Sequence, residues 1–220
     1  LKSPLAAAGR GNRVVSLGNP MPAQLTYPLL IEPFHQRIFD FSVQYEIRNR
    51  EIKFLGMVRQ KVDEKGRYLG SVVPQKFSVE LPEAIARFLN QIVLPVYKKD
   101  SPLPDRILQW TNSLDYSGPI GIDSYLYQDS KGNLKHRQLC ELNPRYTMGR
   151  VALELKKRVA PGIHVGTEIR RLKPGDEVNL RTPQLNSNGQ LETGQIMLNE
   201  LHSDTRFGFI ITVDKQLSAI

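Results

Sequence analysis

The sequence predicts an α+β fold in which antiparallel strands come first, helices follow, and further strands close the chain. Three features carry that reading. Residues 39–47 and 120–127 alternate in polarity and are rich in β-branched and aromatic side chains, as half-buried strands are. Leu81, Ile85, Phe88, Leu89 and Ile92 fall instead on one helical stripe. Two short turn signals, Asp63-Glu-Lys-Gly66 and Asp129-Ser-Lys-Gly132-Asn133, join neighbouring strands.

Taken in order, the chain begins Leu1-Lys-Ser-Pro-Leu-Ala-Ala-Ala-Gly9-Arg-Gly11-Asn-Arg-Val-Val-Ser, which reads as a strand end, a small-residue loop and a strand. Gly and Ala let backbone N–H groups approach a phosphate closely, and Lys2 supplies a positive charge. A lone Gly-x-Gly is equally a plain surface turn. A Pro-rich loop follows, then an apolar run ending at Glu32 that reads as a buried strand. Residues 52–62 and 68–73 are further strands. A helix begins near Pro82, a favourable first-turn position, and Pro95 ends or bends it. A second helix covers 104–114, with Ile107, Leu108 and Trp110 towards the core. A third runs from 147 to 159, stopped by Pro161-Gly162. Residues 172–194 are polar and rich in Gly, Pro, Asn and Ser, as expected of a long mobile loop. Strands at 195–201 and 207–213 close the chain.

Composition bounds the function classes. At 220 residues the chain buries a substantial core, in one domain or two closely packed lobes. No apolar run approaches the ~20 residues that span a bilayer. Cys140 is the only cysteine, so no internal disulfide forms and a reducing, cytoplasmic location is expected. Strand parity turns Cys140 away from the face of Glu141, as a small buried apolar side chain. His35, His136, His164 and His202 show no metal-ligand spacing, which argues against zinc. The net charge is +8, but the basic clusters (Lys98-Lys99, Lys156-Lys157-Arg158 and Arg170-Arg171) are short and lack interleaved aromatics. They read as solvated faces, and a polyanionic small ligand accounts for the excess as well as a nucleic acid does.

The hairpin holds the sharpest signal. Strand 120–127 carries Gly121-Ile-Asp123, and the return strand 134–142 leads into Glu141-Leu-Asn143-Pro-Arg145. A loop closing Asp129 onto Asn133, with Gly132 in a left-handed position, places Asp123 opposite Leu139. Side chains alternate with period two, so Glu141 and Asn143 share the face of Asp123. Two carboxylates and an amide oxygen suit Mg²⁺ together with phosphate oxygens. On spacing alone, a pair of solvated strand ends explains them equally well.

With the residues upstream, the chain resembles the ATP-grasp superfamily of ATP-dependent carboxylate–amine ligases over roughly residues 1–158. The resemblance is carried most by Gly121-Ile-Asp123 and Glu141-Leu-Asn143-Pro-Arg145-Tyr-Thr-Met-Gly149. It implies that Asp123, Glu141 and Asn143 bind one or two Mg²⁺ ions, with Mn²⁺ as an alternative, against the phosphates of ATP. It gives Arg145 and Lys2 catalytic roles, stabilising charge on the transferring phosphoryl group and the acyl-phosphate. Lys2 would also reach the α- and β-phosphates, while Gly9 and Gly11 would lie in the loop covering the triphosphate. Ile31-Glu32-Pro33-Phe34 is similar to the hinge that grips adenine. Pro33 has no N–H, so His35 would supply the donor. Asp40-Phe-Ser-Val resembles the run whose acid binds ribose, with Asp in place of the usual Glu.

The resemblance further implies a substrate carboxylate, an amine or similar nucleophile as second substrate, and two lobes enclosing the nucleotide. Residues 1–48 would complete the small lobe and residues 49–220 would form the large one. Relatives carry an upstream substrate-binding domain and another lysine, so the chain is expected to be the C-terminal portion of such a ligase. Three other readings stay open: a non-catalytic nucleotide-binding module, a basic nucleic-acid-binding domain, and a purely structural domain.

Overall fold

A computed structural model describes residues 1, 13–16, 18, 28–64, 66–173, 176 and 178–216. Its elements are β1 (Arg37–Arg48), β2 (Glu51–Val62), β3 (Tyr68–Val73), α1 (Glu83–Phe88), a π-helical turn (Leu89–Val93), α2 (Leu94–Val96), α3 (Pro102–Ser113), β4 (Gly118–Gln128), β5 (Leu134–Asn143), α4 (Met148–Lys156), β6 (His164–Arg171), β7 (Gln184–Leu185), β8 (Leu191–Met197) and β9 (Phe207–Asp214). The strands form one sheet in the order β5-β4-β1-β2-β3-β6-β9-β8-β7, and every neighbouring pair is antiparallel. The fold is α+β, as the sequence predicts.

β1 sits between β4 and β2 because its odd-numbered positions are apolar without a break. Phe39, Phe41, Val43, Tyr45 and Ile47 are buried with Ile120, Ile122 and Leu126 of β4 and with Leu89, Val93, Tyr97 and Ile107 from the helical side. Fully burying each such side chain is worth about 1.5–3 kcal/mol. On the opposite face, Val58, Val73, Val165, Ile211 and Val213 pack with Ala152 of α4 and with Val159, Ala160 and Ile163 beyond it. Helices thus cover both faces of the sheet.

The expected lobe boundary after residue 48 falls inside a hairpin. Arg48 pairs with Glu51, and the two turn residues, Asn49 and Arg50, have φ of 53° and 59°. That is the primed turn whose twist matches its flanking strands. β1 therefore belongs to the same sheet as β2 and β4, and the strands of the described residues make one sheet. β1 is also buried on both faces, not half-buried, because its even positions Asp40, Ser42 and Gln44 are covered too.

Several local expectations are corrected. Residues 29–32 form no strand beyond a single bridge at Leu30, and Ile31 is 79% exposed. The stripe predicted through Ile92 is broken because residues 89–93 are π-helical, which turns Val93 inward and leaves Ile92 outside. Pro95, which lacks an N–H and crowds the preceding turn, gives that change of phase a cause. α3 begins two residues early, with Pro102 in its first turn, and Trp110 faces partly to solvent while Ile107 and Thr111 are buried. α4 starts at the Thr147 cap, whose hydroxyl accepts from the Arg150 N–H at 3.1 Å, and ends three residues before the predicted limit. The region predicted as a mobile loop contains β7 and the start of β8, closed by a turn in which Asn186 Oδ1 accepts from the Asn188 and Gln190 N–H groups.

Candidate functional site

The β4–β5 hairpin closes as its sequence predicts: the Asp129 N–H donates to the Asn133 carbonyl, and Gly132 has φ of 77°. Gln128 pairs with Leu134 and Tyr125 with Arg137, the register the loop implies. Beyond Tyr125 the register changes. Asp123 pairs with Glu141, not with Leu139, and Gly121 pairs with Asn143. Ser124 alone therefore stands against residues 138–140, a bulge carrying two extra residues. The shared face of Asp123, Glu141 and Asn143 survives because the shift is even-numbered.

That face is polar across several strands. Asp123 Oδ1 accepts from Gln60 Nε2 on β2 at 2.8 Å, and its Oδ2 accepts from Asn143 Nδ2 at 3.2 Å. Arg145 Nη2 donates to Asn143 Oδ1 at 3.0 Å, which orients the amide. Burial pushes the Asp123 carboxyl above the usual range, opposed by hydrogen bonds from Ser42 and Gln60, the charge of Arg145 and the Asn143 amide. Next to it on β1, Asp40 is also pushed up by burial, and the negative charge of Asp123 adds to this while Arg37 opposes it. Gln44 links the patch to α4: its Nε2 donates to Ser42 Oγ at 2.8 Å and its Oε1 accepts from Thr147 Oγ1 at 2.7 Å.

The hinge residues lie beside the far end of β4. Glu32 accepts from Arg137 Nη2 at 2.7 Å, and His35 Nδ1 is 3.0 Å from the Tyr125 hydroxyl. The His35 ring stacks on Tyr127 at 3.8 Å, with 5° between the planes. Arg37 spans the gap: Nη1 donates to Asp40 Oδ1 at 2.8 Å and the guanidinium lies 4.3 Å from the Tyr125 ring centre. Pro33 and Phe34 are exposed. Cys140 is turned towards this cluster, with Arg37 Nη2 at 3.7 Å from Sγ. The opposite-face expectation for it fails because the bulge breaks simple parity.

The structure thus brings Asp123, Glu141, Asn143, Arg145 and Asp40 onto one face, with Glu32 and His35 at its margin. Lys2, Gly9 and Gly11 lie outside the described residues. Sequence reasoning missed Gln60, Ser42, Gln44, Arg37 and Tyr125. A signal for part of this was present, since Asp40-Phe-Ser42-Val-Gln44 sets a polar residue at every second position of a strand.

Among the described residues no group of three or more His, Cys, Asp or Glu is arranged to hold a metal ion. The donor chemistry nonetheless fits a hard cation. Asp123 and Glu141 oppose each other directly, the Asn143 amide lies beside Asp123 with its nitrogen on Oδ2 and its oxygen on Arg145, and burial raises the Asp123 pKa against its hydrogen-bonding partners. Two carboxylates and one amide leave the remaining ligand positions to phosphate oxygens and water, the usual arrangement for Mg²⁺.

No protein-family model matches the chain, and no curated protein matches it. Solved structures that superpose on it include a biotin carboxylase–β,γ-ATP complex from Campylobacter jejuni, at 11% identity and TM-score 0.45, covering 83% of this chain and 44% of that one. An L-amino acid ligase from Bacillus licheniformis superposes at 12% identity and TM-score 0.41, covering 81% and 49%. The biotin carboxylase subunit of a pyruvate carboxylase gives 11% identity and TM-score 0.39, covering 80% and 41%. The chain spans less than half the length of these proteins. At TM-scores below 0.5 the likenesses carry no weight for function. Among the described residues no helix is long and apolar enough to cross a membrane.

Proposed function

We propose that this chain forms the nucleotide- and Mg²⁺-binding part of an ATP-grasp-type ligase, which activates a carboxylate as an acyl-phosphate for attack by an amine or similar nucleophile. The observation that supports this most is the direct pairing of Asp123 with Glu141, flanked by Asn143 and Arg145, on the polar face of an antiparallel sheet.

In this reading Asp123, Glu141 and Asn143 hold the ion, and Arg145 lies beside the transferring phosphoryl group. Bound Mg²⁺ would neutralise phosphate charge. Gln60 and Ser42 orient the Asp123 carboxylate, and Arg145 offsets negative charge that grows during transfer. Lys2 and the Gly9–Gly11 loop would serve the phosphates, and Glu32, Pro33, Phe34, His35 and Asp40 the nucleoside. The substrate carboxylate attacks the γ-phosphorus in line and ADP departs. The amine then displaces phosphate from the acyl carbon. Positioning and charge neutralisation suffice for phosphoryl transfer, so no side-chain nucleophile is required.

The test is calorimetric titration of Mg·ATP into the chain and into Asp123→Asn and Glu141→Gln variants of matched thermal stability, followed by phosphate release. The wild-type chain should bind Mg·ATP, and each variant should bind at least tenfold more weakly. Equal affinity in all three would overturn the site assignment, and binding without any phosphate release would identify a nucleotide-binding module instead.

A further inference from the structure

The hairpin loop alone sets a register in which Leu139 opposes Asp123. The structure departs from it at one place, where Ser124 faces residues 138–140. Without the two extra residues, Glu141 would sit two positions along the strand, about 7 Å from its place opposite Asp123. Asn143 would move equally far from Asp123 Oδ2, which its amide now reaches at 3.2 Å.

A buried polar cluster on the other face of the hairpin holds the bulge. The carbonyl of Gln138, its first residue, accepts from Ser124 Oγ at 2.6 Å and from the Tyr97 hydroxyl at 2.8 Å. The same Tyr97 hydroxyl lies 2.6 Å from Ser124 Oγ and 2.8 Å from His136 Nε2. Tyr97 is 0% exposed and Ser124 1%. Tyr97 is itself fixed where α2 ends, and its own carbonyl accepts from the Tyr45 hydroxyl of β1 at 2.6 Å. Regular pairing would set Gln138 directly opposite Ser124 with its carbonyl in the plane of the sheet, turned away from the buried Tyr97 and Ser124 hydroxyls, and the interior penalises hydroxyls left without an acceptor.

We propose that Tyr97, Ser124 and His136 are positioning residues that lock the hairpin in its bulged register, and so set Glu141 and Asn143 against Asp123 from the opposite face of the sheet. The register lock stands independently of any ligand, whereas its service to a cation site rests on the function proposed above. Tyr97 belongs to the connection between α2 and α3, so the helical layer dictates the spacing of carboxylates it never touches.

The experiment is NMR of the isotope-labelled chain, reading cross-strand backbone NOEs in the wild type and in the Tyr97→Phe/Ser124→Ala double variant. The wild type should show Asp123–Glu141 contacts, and the double variant should lose them and gain Asp123–Leu139 contacts. Asp123–Glu141 contacts retained at full intensity in the folded double variant would overturn the proposal. If the double variant does not fold, amide exchange is compared in the two single variants. Exchange faster by at least tenfold at 138–141 than at 135–137 supports the lock, and uniform acceleration across β5 overturns it. Mn²⁺ alone then separates the two readings through its paramagnetic broadening. It should broaden residues 123, 141 and 143 in the wild type and bind the double variant at least tenfold more weakly. Failure of Mn²⁺ to bind the wild type overturns the cation site and leaves the register result to decide the lock.

Discussion

His136 sets a measurable acid limit on the fold. Its ring is packed 5.8 Å from Phe41 and 5.6 Å from Tyr97, and its Nε2 meets the Tyr97 hydroxyl. Burial alone lowers its pKa from 6.5 to about 4. A histidine depressed in this way is neutral in the folded chain but gains a proton readily when unfolded. Its contribution is therefore intact above pH 6.5 and is lost as the pH falls towards 4. Linkage gives a loss of about 2–3 kcal/mol between pH 7.5 and 4.5, most of it below pH 6.5. Asp40 and Asp123 act with the opposite sign, because burial raises their pKa values and the folded state then gains from protonation. The comparison with His136→Gln isolates the histidine. Urea unfolding of both proteins across this range should give a wild-type curve that loses about 2–3 kcal/mol more than the variant on acidification. Parallel curves, or a His136 ring titrating above pH 6 by NMR, would refute the burial account.

Three further outcomes follow from the packing around the site. In Gly121→Ala the new Cβ would lie 2.7 Å from Thr147 Cγ2 and 3.3 Å from the Gln44 amide, so thermal or urea unfolding should show a loss of about 1–3 kcal/mol. A loss below 0.5 kcal/mol would mean that α4 moves away freely. Arg59, 1% exposed, donates to the carbonyls of Phe77 and Val79, so Arg59→Met should cost about 1–3 kcal/mol and accelerate amide exchange in residues 75–80 first. Uniform exchange would contradict that anchoring role. Removing Arg145 takes away a positive charge that lowers the Asp123 pKa, so carboxyl-carbon NMR of Arg145→Ala should place the Asp123 midpoint higher than in the wild type. An unchanged or lower midpoint would show that Arg145 does not act on Asp123.

The sequence carried the hairpin, its loop and the common face of Asp123, Glu141 and Asn143, because these follow from alternation and one glycine-containing turn. It also carried β2, β3, α3 and the Thr147 end of α4. It misled where partners distant in sequence intervene. Ile92 was placed on the buried stripe because an unbroken 3.6-residue period was assumed, whereas the turn ahead of Pro95 winds as a π-helix. β6 went unread, since His164–Arg171 shows no strict alternation and is buried between β3 and β9.

What the sequence by itself determined is therefore local: which segments are extended, where the hairpin turns, and which acidic and amide groups share one side of it. The tertiary structure decided the distance between those groups. Asp123 meets Glu141 only because a bulge inserts two residues into β5, and that bulge is held by Tyr97, which lies 27 residues before Ser124 in the chain. Alternation is a nearest-neighbour property of one strand, whereas the bulge depends on a buried hydroxyl delivered by a different layer. No spacing within the hairpin encodes it.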